Sequence, residues 1–313
     1  MIEFFFSPTF WKTVLASTTP VMLATLAANV MTKSGIFNLA IEGTMLICAL
    51  TGTVASAYSQ SLWIGCLVAV VMGIFISFIF GYFALVMKGA MNACGVAMNL
   101  VASGGTVFVM VMLTGSKANT SALKSLTFPV VDIPIIKDIP VLGTILSGQN
   151  LVTYIGWAIV ALTAWIIYKT KLGINIRAVG ENPEAAKAAG INVLWHQFVA
   201  LAICGVACSF GGMYLSMGAL KSFTANMVAG RGYMSLAMDA MSQGNPIIGC
   251  LSSLLYGFSD TITVYLQLYS KIDLKLIEVF PYLFIIVVLV IIQAIKKMVE
   301  HKKEERASLN QAA

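Results

Sequence analysis

The chain has 313 residues, of which 59% are hydrophobic and only 10% charged, with a formal net charge of +6 and a mean hydropathy of +0.89. That much apolar surface cannot be hidden inside a soluble globule, so the composition excludes one and predicts an all-α polytopic membrane protein. The positive charge does not point to nucleic acid, because the cations lie between apolar spans and in the tail Lys296, Lys297, Lys302, Lys303 and Arg306, where they orient a chain in a bilayer.

A helix needs about 20 apolar residues to cross a bilayer at roughly 1.5 Å per residue. Nine segments meet that test or approach it: roughly 11–31, 40–58, 62–86, 94–115, 151–169, 196–217, 229–244, 247–268 and 276–297. The expected fold therefore has about eight to ten transmembrane helices, in one transmembrane domain over 1–298 with a charged tail at 299–313. Met1–Phe6 carries no basic run before an apolar core, so the first segment is expected to insert rather than to act as a cleaved signal.

Between the first two segments lies Ser34-Gly35-Ile36-Phe37-Asn38-Leu39-Ala40-Ile41-Glu42-Gly43. Glu42 suits two roles: a carboxylate bonded to free amides at a helix N-terminus, or a group lining a pore. Asn38 falls in the same stretch. Asn92, Asn99, Ser103 and Gly104-Gly105 make a polar stripe in the fourth segment, where Asn99 is either a cavity-lining hydrogen-bonding group or glue between helices. The connection 116–150, with Pro129, Pro134 and Pro140, is expected outside the cell, as a small hairpin, a lid or an ordinary ordered loop.

Residues 170–195 form a polar island between the fifth and sixth segments. Asn182 is placed to cap a short helix, Pro183 to occupy its first position, Glu184 to favour the helix dipole, and Gly190 to stop it after Ala185, Ala186, Ala188 and Ala189. An isolated polar helix is a handle for a soluble partner, or else a plain connector capping the bundle. Gly205, Gly211, Gly212 and Ser209 in the sixth segment fit close helix packing. The seventh segment is short and Gly-bounded, which predicts a broken or re-entrant helix. Gly244-Asn245-Pro246 after it reads first as a tight turn and second as part of a transport site. Asp239 and Asp260 are ionisable groups at membrane depth, and an interior, water-accessible face suits them. Placing the tail and 170–195 in the cytoplasm gives a consistent parity, with Lys33 and Lys88 inside and the N-terminus outside.

The chain carries no Gly-x-x-x-x-Gly-Lys-Ser/Thr phosphate cradle and no nucleophile–base set, and His196 and His301 stand apart, so no catalytic residue and no metal site is expected. Cys48, Cys66, Cys94, Cys204, Cys208 and Cys250 lie in or beside apolar segments, where thiols act as small hydrophobes.

Arg177-Ala178-Val179-Gly180-Glu181-Asn182-Pro183-Glu184-Ala185-Ala186 resembles the cytoplasmic coupling loop of ATP-binding-cassette (ABC) importer permeases of the branched-chain amino acid/ribose/nucleoside superfamily. Ser34–Gly43, Gly95-Val96-Ala97-Met98-Asn99-Leu100, Gly211-Gly212-Met213-Tyr214-Leu215-Ser216 and Gly230-Arg231-Gly232-Tyr233 with Asn245-Pro246 are similar, in order, to elements of the nucleoside permeases served by basic-membrane-protein lipoproteins. The chain departs from that pattern at Asp239 and at Ser242-Gln243-Gly244, which leaves the cargo open.

The resemblance implies a bacterial plasma (inner) membrane importer permease with a cytoplasmic C-terminus and no cofactor of its own, ATP being bound by a separate ATPase subunit. Its implied partners are that ATPase, a second homologous permease, an extracellular substrate-binding lipoprotein and the lipid bilayer. Glu181, Asn182, Pro183, Glu184, Ala185, Ala186 and Gly190 would couple to the ATPase, and Asn38, Glu42, Asn99, Ser103, Asp239, Asn245 and Asp260 would line the path of a small polar solute, a nucleoside first. A ribose- or galactose-like sugar is the alternative cargo. A stand-alone secondary transporter is the alternative class, although it needs no docking helix.

Overall fold

Ser7 accepts the Phe10 amide at 3.3 Å and Pro8 presets the first φ, so helix α1 opens at Pro8 and runs to Lys33. In this computed structural model residues 7–133, 142–269 and 273–312 are described. Met1–Phe6, Pro134, Pro140 and the side chains of Lys296, His301, Lys302, Lys303 and Arg306 lie outside them, together with the expectations they carried.

After α1 come α2 (Ile41–Ser59), α3 (Leu62–Gly81) with a π-helical turn (Tyr82–Val86), and α4 (Met91–Thr114). Two short strands, β1 (Val130–Val131) and β2 (Gln149–Asn150), pair antiparallel with Val130 opposite Asn150 and flank the one-turn α5 (Leu142–Leu146). The chain continues through α6 (Leu151–Lys169), α7 (Lys171–Glu181), α8 (Pro183–Ala188), and α9 (Val193–Met213) with a second π turn (Tyr214–Ala219). Last are α10 (Arg231–Ser242), α11 (Pro246–Tyr269), α12 (Leu274–Glu278) and α13 (Phe280–Ala312). Among the described residues eight helices are long and apolar enough to cross a membrane. Of the nine expected segments only the seventh, now the 12-residue α10, falls short.

The chain divides into two compact units, residues 1–258 and 259–313. The smaller holds the end of α11, α12 and α13, with Ile277 and Ile285 buried and the Phe280 and Phe284 rings stacked at 6.1 Å. In the larger unit α1 is the central post, buried on all sides from Thr18 to Met31. Its polar side chains find partners on neighbouring helices. Thr19 donates to Thr153 at 3.2 Å, Thr25 accepts from Ser253 at 3.0 Å, and Asn29 donates to the Asn245 carbonyl at 3.1 Å. Such bonds and close backbone approach hold helices together where oil supplies no hydrophobic drive. The same applies between α3 and α9, where Ser209 donates to the Ala69 carbonyl at 3.0 Å.

Trp63, Leu67, Val71, Phe75, Phe78 and Tyr82 are exposed along α3 at spacings of three and four, one continuous apolar stripe. In water that stripe would be a liability; against acyl chains it is the solvated surface.

The two ends of the large unit are marked by contacts between distant segments. One end gathers Gln60, Asn119, Phe128, Asn150 and 217–225: Gln60 donates to the Lys124 carbonyl at 3.4 Å, Phe128 to Met217 at 3.0 Å, and Ala225 to Ala118 at 3.0 Å. The other end gathers Lys33, Gly35, Gly180, Gly244 and Asn245. Between Ala225 and Gly244 the chain therefore traverses the full depth of the unit, first as irregular backbone to Gly230 and then as α10. At about 1.5 Å per residue, α10 spans only about 18 Å. The seventh segment is irregular backbone followed by a short helix rather than a ninth full-length helix.

Candidate functional site

The connection 34–40 does not stay at the end of the bundle. Asn38 donates to Cys204 Sγ at 3.6 Å, and Cys204 sits 11 residues into α9, about 16 Å along it. Asn38 also accepts the Ala40 amide at 2.8 Å, so its buried side chain shapes the approach to α2. Helix α2 thus begins deep inside the unit, at the level where α10 also begins.

Glu42 joins these two starts. Its Oε1 accepts the Gly230 amide at 2.8 Å and its Oε2 the Gly232 amide at 2.7 Å. Helix α10 has no capping side chain of its own, and Gly230 before it takes φ +80°. A helix N-terminus exposes unpaired amides and a partial positive charge, so a carboxylate there supplies acceptors and charge together. Glu42 lies in the first turn of α2 and at the start of α10, and so meets two positive ends. A Cβ on Gly232 would lie 2.7 Å from Oε2, which only glycine avoids.

Asn99 completes the junction from α4. Its Oδ1 accepts the Gly43 amide at 2.8 Å, while its Nδ2 donates to the Leu39 carbonyl at 2.9 Å and to the Tyr233 hydroxyl at 2.8 Å. Beside it opens a cavity of about 210 Å³ whose lining includes Glu42, Leu46, Asn99, Ser103, Asn226 and Tyr233. A larger cleft of about 540 Å³ lies between α2, α3 and α4, but residues such as Ile47, Ile76, Ile79 and Val101 make its wall almost wholly apolar.

The structure brings Glu42, Asn99 and Ser103 together and leaves the other path residues elsewhere. Asp239 lies six residues beyond Tyr233 on α10, where its Oδ2 accepts the Thr32 hydroxyl at 2.6 Å. Ser242 donates to Asn29 at 2.8 Å beside it, and Asn245 accepts the Ile247 amide at 3.0 Å as the cap of α11. These residues make a second polar cluster at the Lys33 end, and Gly244-Asn245-Pro246 is the tight turn, with Gly244 at φ +72°. Asp260 lies on α11 in the smaller unit, half-buried. Tyr233, Gly230 and Gly232 were absent from the path residues expected from sequence; the Gly-x-Gly-Tyr spacing was the available signal.

At the Lys33 end, Thr170 caps α7 by accepting the Gly173 amide at 3.2 Å. Asn182 caps α8 through the Glu184 and Ala185 amides at 3.1 and 3.0 Å. Gly190, at φ +79°, turns the chain so that the Ile191 amide reaches the Ala186 carbonyl at 3.0 Å. Glu181, Asn182, Pro183, Glu184 and Ala185 are exposed, as are Lys187 to Gly190, while Ala186 alone is buried. His196 braces this loop, with one ring nitrogen 2.8 Å from the Asn192 carbonyl and the other 3.2 Å from Asn175. Gly180, one turn before α8, presses on the Lys33–Gly35 backbone so closely that a Cβ would collide with the Lys33 carbonyl.

Replacing Asn182 with Ala removes the acceptor of two amides and should loosen α8 by about 1 kcal/mol, the usual worth of such a cap. Amide exchange at Glu184 and Ala185 should then rise about fivefold while α7 is unchanged.

Membrane-crossing helices, a helix pair broken at depth and an exposed capped helix at one end together define a transport permease fold. Residues 11–292 match the family of the branched-chain amino acid transport system permease component, and the chain belongs to that family. The guanosine ABC transporter permease protein NupQ of Bacillus subtilis is 32% identical over 281 residues, 86% of this chain and 87% of the relative. The nucleoside ABC transporter permease protein NupC of Lactococcus lactis is 27% identical over 287 residues, 88% and 89%. A chain of PsaBC from Streptococcus pneumoniae, solved with a Fab, shares the fold at TM-score 0.51 and 12% identity, covering 92% of this chain and 95% of that one. The protein is a multi-pass, non-catalytic permease subunit of an ABC importer, and an ATPase must supply its energy.

Proposed function

We propose that this chain forms one half of the path for a nucleoside across the bacterial plasma membrane. It works with a second homologous permease, cytoplasmic ATPase subunits and an extracellular substrate-binding lipoprotein. The observation that carries this reading is the polar cavity at the junction of α2, α4 and α10. Polar side chains and irregular backbone at bilayer depth persist only beside a cavity or inside protein. At about 210 Å³ the cavity is smaller than the roughly 300–1,000 Å³ that encloses a small organic ligand, so a facing subunit supplies the remaining wall. Val101, Phe108 and Met112, exposed on α4, are the surface such a subunit would cover. The cargo class follows the guanosine and nucleoside permeases that match most of the chain.

The exposed Glu181, Asn182, Pro183, Glu184, Ala185 and Gly190, with Ala186 buried beneath them as the anchor of α8, are the ATPase contact in this reading, so the Lys33 end faces the cytoplasm; the basic residues of the C-terminal tail support a cytoplasmic tail. Gly180 links that contact to Gly35 and hence to the connection that ends at Glu42. ATP-driven motion of α8 thereby reaches the cavity through backbone rather than through a side chain.

The test is uptake into proteoliposomes holding the complete complex, with labelled guanosine and uridine competed by ribose and galactose. ATP-dependent nucleoside uptake, at least tenfold above ATP-free vesicles, is expected. Uptake that persists without the ATPase subunit would sink the coupled-importer reading. Uptake of ribose or galactose that nucleosides never compete would move the cargo to a sugar.

A further inference from the structure

Three polar side chains in the cavity wall, Glu42, Asn99 and Ser103, spend their hydrogen bonds on the protein itself, whereas Asn226, also in the wall, makes no side-chain bond among the described residues. Both Glu42 oxygens accept backbone amides, at 2.8 and 2.7 Å. Asn99 uses its oxygen on Gly43 and its amide group on Leu39 and Tyr233. Ser103 gives its proton to the Leu100 carbonyl at 3.0 Å. These groups hold helices together, and a passing solute would have to break the junction to recruit them.

Tyr233 differs on both counts that matter for recognition. Its hydroxyl oxygen accepts from Asn99 at 2.8 Å, which fixes the ring, while its own proton meets no acceptor among the described residues. Its side chain is 43% exposed, a large fraction for an aromatic group at the start of a buried helix junction, and it forms part of the cavity wall. An aromatic ring in the cavity wall with a free O–H donor at its edge suits a flat heterocycle bearing carbonyl or ring-nitrogen acceptors. Stacking on an aromatic face tolerates any base, and one edge donor adds orientation.

We infer that Tyr233 is the cargo-reading residue of this permease, stacking on the nucleobase and donating its hydroxyl proton to a base acceptor. The inference rests on the nucleoside reading above. Glu42 and Asn99 are positioning residues that hold the Tyr233 ring through the α2–α10 junction. Because the contact is a single stack and a single hydrogen bond, it orients the solute without trapping it, as a path with a distant exit requires.

The experiment compares wild type, Tyr233→Phe and Tyr233→Leu in the complete complex in proteoliposomes. It follows complex yield, binding-protein-stimulated ATP hydrolysis, and uptake of labelled guanosine and uridine. Tyr233→Phe keeps the aromatic surface but loses both the donor and the oxygen that accepts from Asn99, and should lower maximal uptake by about three- to tenfold. Tyr233→Leu loses both and should lower it at least about tenfold, with guanosine, the larger stacking surface, hurt about threefold more than uridine. Complex yield should stay within about twofold of wild type, since Asn99 keeps its bonds to Gly43 and Leu39 when the Tyr233 hydroxyl is gone. Parallel loss of yield, hydrolysis and uptake would make Tyr233 a packing residue and overturn the inference. Unchanged uptake in Tyr233→Leu would overturn it as well. Wild-type vesicles that carry ribose or galactose but no nucleoside would overturn the cargo reading instead, a result visible before any variant is made.

Discussion

Replacing Glu42 with Leu is expected to abolish uptake and to lower the thermal stability of the purified complex more than any other single change in the cavity. The substitution leaves the buried Gly232 amide and the Gly230 amide at the cavity wall without their acceptors. An orphaned buried donor costs about 1–3 kcal/mol, a cost that applies in full to Gly232 and less to Gly230. The start of α10 also loses the negative charge that its partial positive end favours. Glu42→Gln keeps one acceptor oxygen of similar shape and should retain about half of that stabilisation, with uptake reduced rather than absent. Thermal unfolding of detergent-purified complex, read beside uptake, separates the cases. Equal stability in all three proteins would show that the carboxylate does not hold the junction, and the assignment of Glu42 as the pin would fall.

Glu42 bonds free amides and also borders the cavity, so both roles that the sequence allows are compatible with its place, but the amides belong to α10 and not to its own helix. The first-turn position in α2 was legible because Ile41–Ser59 reads as a helix with Glu42 near its start. That Glu42 also caps α10, 188 residues away in sequence, was not legible, because nothing local in either segment records the distance between them. The lipid-facing stripe of α3 follows from helical spacing and could be read directly. By contrast Thr18, Thr25 and Asn29 share one face of α1 yet look like scattered tolerable polar residues, since Thr can satisfy itself on its own helix and only Asn29 demands a partner. The capped segment at 182–190 was the most legible of all. Its cap, first-position proline and terminal glycine are local chemistry, and the structure places each where that chemistry requires. Asp239 was misplaced relative to the cavity because its depth depends on where α10 begins, and a helix that starts halfway through the bilayer leaves no length signal.

Gly180→Ala should separate ATP hydrolysis from transport. The change is one methyl group, and at most helix positions Gly to Ala stabilises by reducing the freedom of the unfolded chain. Here the added Cβ would run into the Lys33 carbonyl and approach Gly35 N to 2.9 Å, so α7 must back away from the 34–40 connection or the connection must yield. Either response removes the backbone contact through which α8 reaches Glu42, while α8 itself keeps its Asn182 cap, its exposed face and its Gly190 stop. The ATPase should therefore still copurify and still hydrolyse ATP, whereas uptake should fall at least about tenfold, as expected when packed backbone has no room for an extra methyl. Gly190→Val is the control at the other end of the loop. That glycine has φ +79° but no neighbour within 4 Å of an added Cβ, so the change strains the α8 stop without touching Gly35. It should weaken ATPase copurification and hydrolysis together with uptake. If Gly180→Ala instead transports at the wild-type rate, motion of the coupling loop does not travel through the Gly35 contact. If it loses complex yield in step with uptake, the contact is packing and nothing more.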